Sequence, residues 1–161
     1  MKKEFIVKLF ESHQASKEIP SPKQVCNWLN GLLKTMFPEL ADRRYRTLRE
    51  FENHCYEISL ELFTILEILG DSLPESPALI ETKFLDRLPG IRESLIKDAE
   101  AILKEDPAAV SKTEVIRTYP GFFAIAVYRL AHEFHKLGLS PGDQFLSKPM
   151  MPLLPFCFTA P

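Results

Sequence analysis

The chain has 161 residues, 45% of them hydrophobic and 26% charged, and these proportions are typical of a soluble globular protein with a sizeable core. A formal net charge of -2 and a pI near 6.1 exclude a strongly basic surface for phosphate backbones, so nucleic acid is not an expected partner. The sequence has no run of about 18 uncharged apolar residues, so no membrane span is expected either.

The cysteines and the N-terminal residues indicate in which compartment of the cell the protein is expected. Cys26, Cys55 and Cys157 are far apart and include no Cys-x-x-Cys pair, which predicts neither a disulfide framework nor a zinc site. The apolar run at residues 5–7 is too short for the apolar region of a secretory signal. We therefore expect reduced thiols and a cytoplasmic protein.

The first two predicted elements are amphipathic helices. Residues 3–14 place apolar side chains on one helical face, namely Phe5, Ile6, Leu9 and Phe10. After Pro20, the capping box at residues 21–24 has proline at its first helical position and predicts a helix to about Phe37. Its expected inner face is Val25, Trp28, Leu29, Leu32 and Met36.

The longest predicted helix runs from about Asp42 to Leu69, with Gly70 as its left-handed cap. Its apolar residues alternate in steps of three and four, giving a seam of Leu48, Phe51, Cys55, Ile58, Leu62, Ile65 and Leu69. The seam could face the core of its own subunit or a second subunit, and we favour the core by about two to one. Cys55 is then expected to be a buried apolar residue rather than a nucleophile.

A turn-rich linker at residues 71–77 separates two helical blocks. A short helix ending near Arg87 is followed by one from Ile91 to about Glu105, whose inward residues are Leu95, Ala99, Ile102 and Leu103. The pair at residues 106–107 closes that helix.

The remaining helical signals lie between residues 111 and 138. A second capping box at residues 111–114 starts a short helix that Tyr119-Pro120 must stop. A longer apolar helix is predicted from Phe122 to Leu137, with Gly138 as its exit. Residues 141–161 carry several prolines and no hexapeptide repeat, and they predict an irregular tail.

Several short motifs occur in a fixed order between residues 88 and 140, roughly a third of the chain. They are Leu-Pro-x-Ile-Arg at 88–92, Asp-Pro-Ala-Ala at 106–109, Ser-x-x-Glu at 111–114, Tyr-Pro-Gly-Phe at 119–122 and Tyr-Arg-x-Ala-His at 128–132. Together they resemble the end of the helical N-terminal domain of serine O-acetyltransferase. The resemblance implies an all-α helical bundle at residues 1–140. The irregular tail predicted at 141–161 departs from the family, whose chain enters a β-helix of hexapeptide repeats at this point.

The resemblance also implies an activity and one site residue. In that family the hydroxyl of L-serine attacks acetyl-CoA with a histidine as general base, in cysteine biosynthesis. The aspartate of the family's Asp-Pro motif contributes to serine recognition, and Asp106 matches it. Asp106 would meet the ammonium group of the substrate electrostatically. The simpler role is a turn cap ahead of Pro107, and we weigh the two compatible roles about evenly.

The family's catalytic histidines, its acetyl-CoA groove and the tail that binds O-acetylserine sulfhydrylase belong to a hexapeptide β-helix and its extension. The chain contains no Asp-Ile-His-Pro or Asp-His motif. We therefore expect no catalytic residue, no site for acetyl-CoA as the family's co-substrate, no sulfhydrylase contact, and no activity from this chain alone. One explanation is a change of reading frame, or a gene fragment, after Ser140.

No metal site is predicted. His132 and His135 are three residues apart on the last helix, a spacing compatible with a metal, but two ligands do not make a site. We expect them to be surface or helix-end residues, and Tyr128 and Arg129 to serve in packing and ion pairing. Two function classes remain: an acyltransferase of the serine O-acetyltransferase family, and a helical module that forms homo-oligomers without chemistry.

Overall fold

The structure is a computed structural model that describes residues 1–16 and 19–139, and the tail predicted at 141–161 lies outside the described residues. The described residues form α-helices and two short 3-10 turns, Pro38–Leu40 and Gly70–Ser72, and contain no strand. The helices are α1 (Lys3–Ala15), α2 (Pro22–Met36), α3 (Leu48–Leu69), α4 (Pro77–Leu85), α5 (Leu88–Glu105), α6 (Lys112–Thr118) and α7 (Pro120–Lys136). The predicted all-α fold is confirmed.

Side-chain caps set where three of the helices begin. The hydroxyl of Ser21 accepts a hydrogen bond from the backbone N–H of Gln24 at 3.2 Å, and that of Ser111 accepts one from Glu114 at 3.1 Å. Both predicted caps are confirmed. Each satisfies a backbone donor that the first helical turn leaves without a partner.

The predicted start of the long helix at Asp42 is wrong. Thr47 caps α3 by accepting from the N–H of Glu50 at 3.1 Å, and the Glu50 carboxylate accepts from the N–H of Arg46 at 2.9 Å. This reciprocal arrangement holds Thr47 in an extended conformation, with φ -135° and ψ 155°, so the helix cannot extend further toward the N-terminus.

Glycines end α3 and α7 as predicted. Gly70 has φ 43° and Gly138 has φ 87°, a region that residues with a Cβ atom rarely adopt. The N–H of Gly138 donates to the carbonyl of His135 at 2.9 Å, which satisfies an acceptor of the last turn.

Trp28 lies at the centre of the core and is only 2% exposed. Its Nε1 donates to the carbonyl of Ile58 at 3.1 Å, and its ring lies 5.9 Å from the rings of both Phe84 and Phe134. Phe84 and Phe134 stack on each other with ring centroids 4.0 Å apart. The cluster thereby joins α2, α3, α4 and α7. On α2 the predicted inner face is buried except Met36, which is partly exposed, while Cys26 and Leu33 are buried in addition.

The predicted seam of α3 is buried only in its C-terminal half. Ile58, Leu62, Ile65 and Leu69 are buried in the core of this chain, which confirms the intramolecular interpretation for that half. The prediction is wrong for Leu48, which is 72% exposed, and for Cys55, which is exposed with a free thiol. Phe51 is only partly covered, by the ring of Tyr45, and no described residue of α3 before Ile58 is buried.

Helix α1 forms as predicted, but its apolar face is not buried. None of its residues is buried, and Phe5, Ile6, Val7, Leu9 and Phe10 are between 40% and 61% exposed. The core is therefore built by α2 to α7. Among the described residues, no helix is long and apolar enough to cross a membrane.

Candidate functional site

Asp106 lies at the C-terminal cap of α5 and is partly exposed. Its backbone N–H donates to the carbonyl of Ile102 at 2.9 Å, and its Oδ1 accepts from the N–H of Ala108 at 2.9 Å. The second bond is an Asx turn, in which a short carboxylate side chain bonds the backbone two residues further on. The capping role predicted for Asp106 is therefore present, and it uses Oδ1.

Two further polar side chains lie beside Asp106. The Oε2 of Glu114 accepts from the N–H of Val110 at 2.8 Å, which closes the turn between α5 and α6. Tyr119, at the junction of α6 and α7, lies close enough to both carboxylates for them to act on its phenol. Partial burial, followed by the interaction with Asp106 and the charge of Glu114, raises the pKa of the Tyr119 phenol. We refer to Asp106, Glu114 and Tyr119 as the Asp106 corner.

The Asp106 corner has a negative electrostatic character. It combines two carboxylates with the C-terminal end of α5, where the helix dipole is also negative. Within residues 1–16 and 19–139, no lysine, arginine or histidine forms an ion pair with Asp106. Such a corner suits a small cation with several N–H donors, such as an ammonium group, because a carboxylate binds charged donors most strongly.

The sequence predicts Asp106 as a site residue but not its neighbours. It predicts Glu114 only as part of a cap and Tyr119 only as part of a break between helices. The sequence signal for these neighbours is the short helix α6 with its capping box. Because α6 is short, the residues that follow it lie near the C-terminal end of α5. The contact between Tyr119 and Asp106 is tertiary, so no local pattern encodes it.

The histidines of α7 lie away from this corner. His132 and His135 are both exposed, with ring centroids 6.3 Å apart, and His132 stacks on Tyr128 at 5.9 Å. Their predicted surface position is confirmed. Across the described part of the chain, no group of three or more His, Cys, Asp or Glu side chains could hold a metal ion.

A polar groove of about 420 Å³ lies between α5 and α7. Arg129 donates to both oxygens of Asp98 at 2.5 and 2.7 Å, and Arg87 donates to Glu133 at 3.0 Å. The predicted ion-pairing role of Arg129 is confirmed. Because these charges already neutralise one another across the groove, they serve to join the two helices.

Cys55 has the properties of an unreactive thiol. Partial burial, followed by the charge of Glu52, raises the pKa of Cys55 above its ordinary value. Less thiolate is then present at neutral pH, and thiolate is the nucleophilic form. The prediction that Cys55 is not a nucleophile agrees with this shift, although its predicted burial was wrong.

Comparisons with known proteins give one set of relatives. The chain is 45% identical over 139 aligned residues to a plasmid-encoded serine acetyltransferase of Synechococcus elongatus, an alignment that covers 75% of this chain and 44% of the relative. A serine acetyltransferase of Helicobacter pylori is 57% identical over 37 residues, which cover 23% of this chain and 22% of the relative. One from Synechocystis is 44% identical over 46 residues, covering 29% and 18%.

These alignments have a limited extent. The chain spans less than half the length of the curated relatives it matches. No protein-family model matches the chain. The relatives match in their N-terminal region, and the described residues of this chain are helical without a strand.

Proposed function

Because the chain is related to the N-terminal part of serine O-acetyltransferases, we propose that it supplies the serine-recognition carboxylate of such an enzyme. The reaction is acetyl transfer from acetyl-CoA to the hydroxyl of L-serine, in cysteine biosynthesis in the cytoplasm. The observation that supports this role is the position of Asp106 in a negative corner, without an ion-pair partner in the described residues.

In the proposed role, Asp106 uses its two oxygens for different tasks. Oδ1 is already engaged by the N–H of Ala108 and fixes the orientation of the carboxylate. The remaining acceptor positions can receive the substrate ammonium, because an ionised carboxylate offers about four lone-pair sites. The corner thus positions the amino acid so that its hydroxyl points to a reaction centre elsewhere.

The chemical step requires groups that the Asp106 corner does not hold. The serine hydroxyl must lose its proton to a base as it attacks the thioester carbon, and the CoA thiolate must leave and be protonated. Neither histidine motif of the family occurs in the sequence. We therefore place the base and the acetyl-CoA site outside residues 1–139, and expect no turnover by the 161-residue polypeptide alone.

The test separates the charge of Asp106 from its capping role. Asp106→Asn keeps an oxygen that can accept from Ala108 and should change the free energy of unfolding by less than about 0.5 kcal/mol. It removes the charge, and losing a charge-assisted hydrogen bond of about 1.5–3 kcal/mol should weaken L-serine binding at least about tenfold. Amide chemical-shift titration with L-serine follows the binding at Ala108 and Tyr119.

The control ligand is 3-hydroxypropionate, which lacks the ammonium group and should cause no shift at these amides. If Asp106→Asn binds L-serine as well as the unchanged chain, Asp106 does not recognise the substrate. A separate assay of CoA release with acetyl-CoA and L-serine should show no turnover. Serine-dependent release by this polypeptide would refute the placement of the base and the acetyl-CoA site.

A second candidate function is a helical module that forms homo-oligomers. The observation that favours it is the apolar surface left on α1 and on the N-terminal half of α3, where Leu48 is 72% and Tyr56 is 73% exposed. Exposed apolar surface of this kind is typical of contacts between proteins. Light scattering of the purified chain should show a dimer or larger, and a monomer at micromolar concentration would exclude this function. No sulfhydrylase contact is proposed.

A further inference from the structure

Half of the eight arginines in the chain lie within seven residues, just before α3 and in its first turn. They are Arg43, Arg44, Arg46 and Arg49, and we call residues 43–49 the arginine segment. All four arginines are exposed, and the segment contains no acidic residue. Like charges placed this close repel one another, and only carboxylates nearby would relieve the repulsion.

The carboxylates nearest in sequence do not neutralise the arginine segment. Asp42 forms an ion pair with Lys34, and the Glu50 carboxylate accepts from the backbone N–H of Arg46 as part of the helix cap. Among the described residues, no carboxylate forms an ion pair with an arginine of the segment, and this includes Glu52. The positive charge of the segment is therefore uncompensated.

Other arginines of the chain show how an arginine stabilises this fold. Arg87 donates to Glu133 at 3.0 Å, and Arg129 donates to both oxygens of Asp98. Both contacts attach α7 to the rest of the bundle. In the described part of the chain, the arginine segment makes no contact of this kind, so its guanidinium groups are free to bind a group outside the chain.

Aromatic contacts hold the arginine segment in place. The ring of Tyr45 lies 4.9 Å from that of Phe51 and 5.3 Å from that of His54, both on α3. The guanidinium of Arg43 lies 4.8 Å from the centroid of the same Tyr45 ring. Nε2 of His54 lies 3.1 Å from the hydroxyl of Thr35 on α2. The backbone that carries the arginines is thus fixed before a partner binds, which lowers the entropy cost of binding.

Exposed apolar side chains lie beside these arginines. Leu48 belongs to the segment and is 72% exposed, and Tyr56 is 73% exposed. Tyr56 follows Arg49 by two turns of helix, so the two side chains lie on the same face of α3. Arginine and tyrosine are enriched in contacts between proteins, where they supply much of the binding energy. The surface therefore has the composition of a protein contact.

The chemistry of this surface favours an acidic peptide over other polyanions. A guanidinium binds a carboxylate through two parallel N–H donors, and a peptide can also pack apolar side chains on Leu48 and Tyr56. Nucleic acid bases stack on aromatic rings, but the ring of Tyr45 is already in contact with Arg43 and His54. A long duplex or a charged membrane would also extend to the glutamates of α3 and be repelled by them. These are Glu52, Glu57 and Glu61.

We propose that the arginine segment, together with Leu48 and Tyr56, binds an acidic segment of a partner protein that carries apolar residues between its carboxylates. This interaction goes beyond serine recognition by Asp106 and does not depend on it. The arginines attract the partner and fix its orientation, and the two apolar side chains pack against it.

Fluorescence anisotropy of labelled peptides, with the whole chain as the binding protein, tests this surface. In the acidic peptide, aspartate and glutamate alternate with leucine and phenylalanine. In the matched neutral peptide, asparagine and glutamine replace the acidic residues. The acidic peptide should bind, and its affinity should fall as salt is added, because salt screens exposed charges. The neutral peptide should not bind.

Substitutions locate the binding to the arginine segment. The double variant Arg44→Gln with Arg46→Gln should bind the acidic peptide at least about tenfold more weakly. Leu48→Ala should weaken it about fivefold, because it removes apolar contact. All three positions are exposed, so the core should remain folded, as circular dichroism would verify. The matched control is Arg117→Gln, an exposed arginine of α6 without an ion pair in the described residues, which should bind unchanged.

Several results would overturn the proposal. The acidic peptide could fail to bind, or could bind the double variant as tightly as the unchanged chain. A DNA duplex or vesicles of phosphatidylserine could bind as tightly as the peptide, which would make the segment a general polyanion site. If the double variant sediments in a different oligomeric state from the unchanged chain, the segment contacts a second copy instead of a different protein. L-serine binding at Asp106 is measured separately and should be the same in the double variant.

Discussion

Replacing Trp28 by phenylalanine should remove a well-defined part of the free energy of unfolding. The indole is 2% exposed, donates to the Ile58 carbonyl and contacts two other rings. A phenyl ring fits the same space but has two fewer ring carbons and no N–H. The lost carbons account for about 1.6 kcal/mol, and the lost hydrogen bond for about 1 kcal/mol. We expect Trp28→Phe to cost about 2.5 kcal/mol, with the small cavity raising this figure slightly.

Urea unfolding followed by far-ultraviolet circular dichroism measures this loss, because the signal does not depend on the indole. The midpoint should fall while the slope with urea concentration stays the same, since the surface exposed on unfolding barely changes. Tyr128→Phe, at a site 67% exposed, serves as the matched control and should change the free energy by less than about 0.5 kcal/mol. A loss below about 0.5 kcal/mol for Trp28→Phe would mean that Trp28 is not the centre of the core, contrary to its burial.

Two further predictions concern a carboxylate and a glycine. Partial burial opposes ionisation of Glu133, but Lys136 and Arg87 outweigh it and lower the pKa of this carboxyl. The contribution of Glu133 to the free energy of unfolding is therefore present above its pKa in the unfolded chain. It is lost as the pH falls through its pKa in the folded protein. Glu133→Gln should thus lower the free energy of unfolding by about 1 kcal/mol at neutral pH and leave it unchanged in acid. Urea titrations at several pH values measure this difference, and a difference that stays constant with pH would contradict the prediction. Gly138→Ala should lower the free energy of unfolding by about 2 kcal/mol, which is more than Gly70→Ala. The reason is that a Cβ at Gly138 would lie 3.1 Å from Pro74, while a Cβ at Gly70 would meet open space. Calorimetric melting of both variants measures the two losses, and equal losses would exclude a role for Pro74.

Features that depend on neighbouring residues could be predicted from the sequence. The caps at Ser21 and Ser111 and the glycine exits at Gly70 and Gly138 all form as expected, because their hydrogen bonds involve residues within a few positions. The predicted start of α3 at Asp42 is wrong although the sequence carries the correct signal, the capping box of Thr47 and Glu50. The local cap decides the boundary, and no apolar periodicity supports a helix before it.

Features that depend on the packing of distant segments could not be predicted. The periodic spacing of apolar residues in α3 correctly predicts the buried face of the helix, on which Ile58 and Leu62 lie. It could not show that Leu48 and Cys55 lack a covering helix, since periodicity carries no information about a partner. For the same reason, Asp106 could be identified from its motif, whereas its contact with Tyr119 required the structure.

The ring cluster around Trp28 has a consequence for synthesis on the ribosome. Phe134, which contacts Trp28, belongs to α7, so the nascent chain cannot complete this ring cluster until α7 has been translated. At about 5–20 residues per second, α2 emerges on the order of ten seconds before α7. During that interval the indole of Trp28 lacks the ring of Phe134, and the nascent chain exposes an apolar surface to which chaperones can bind.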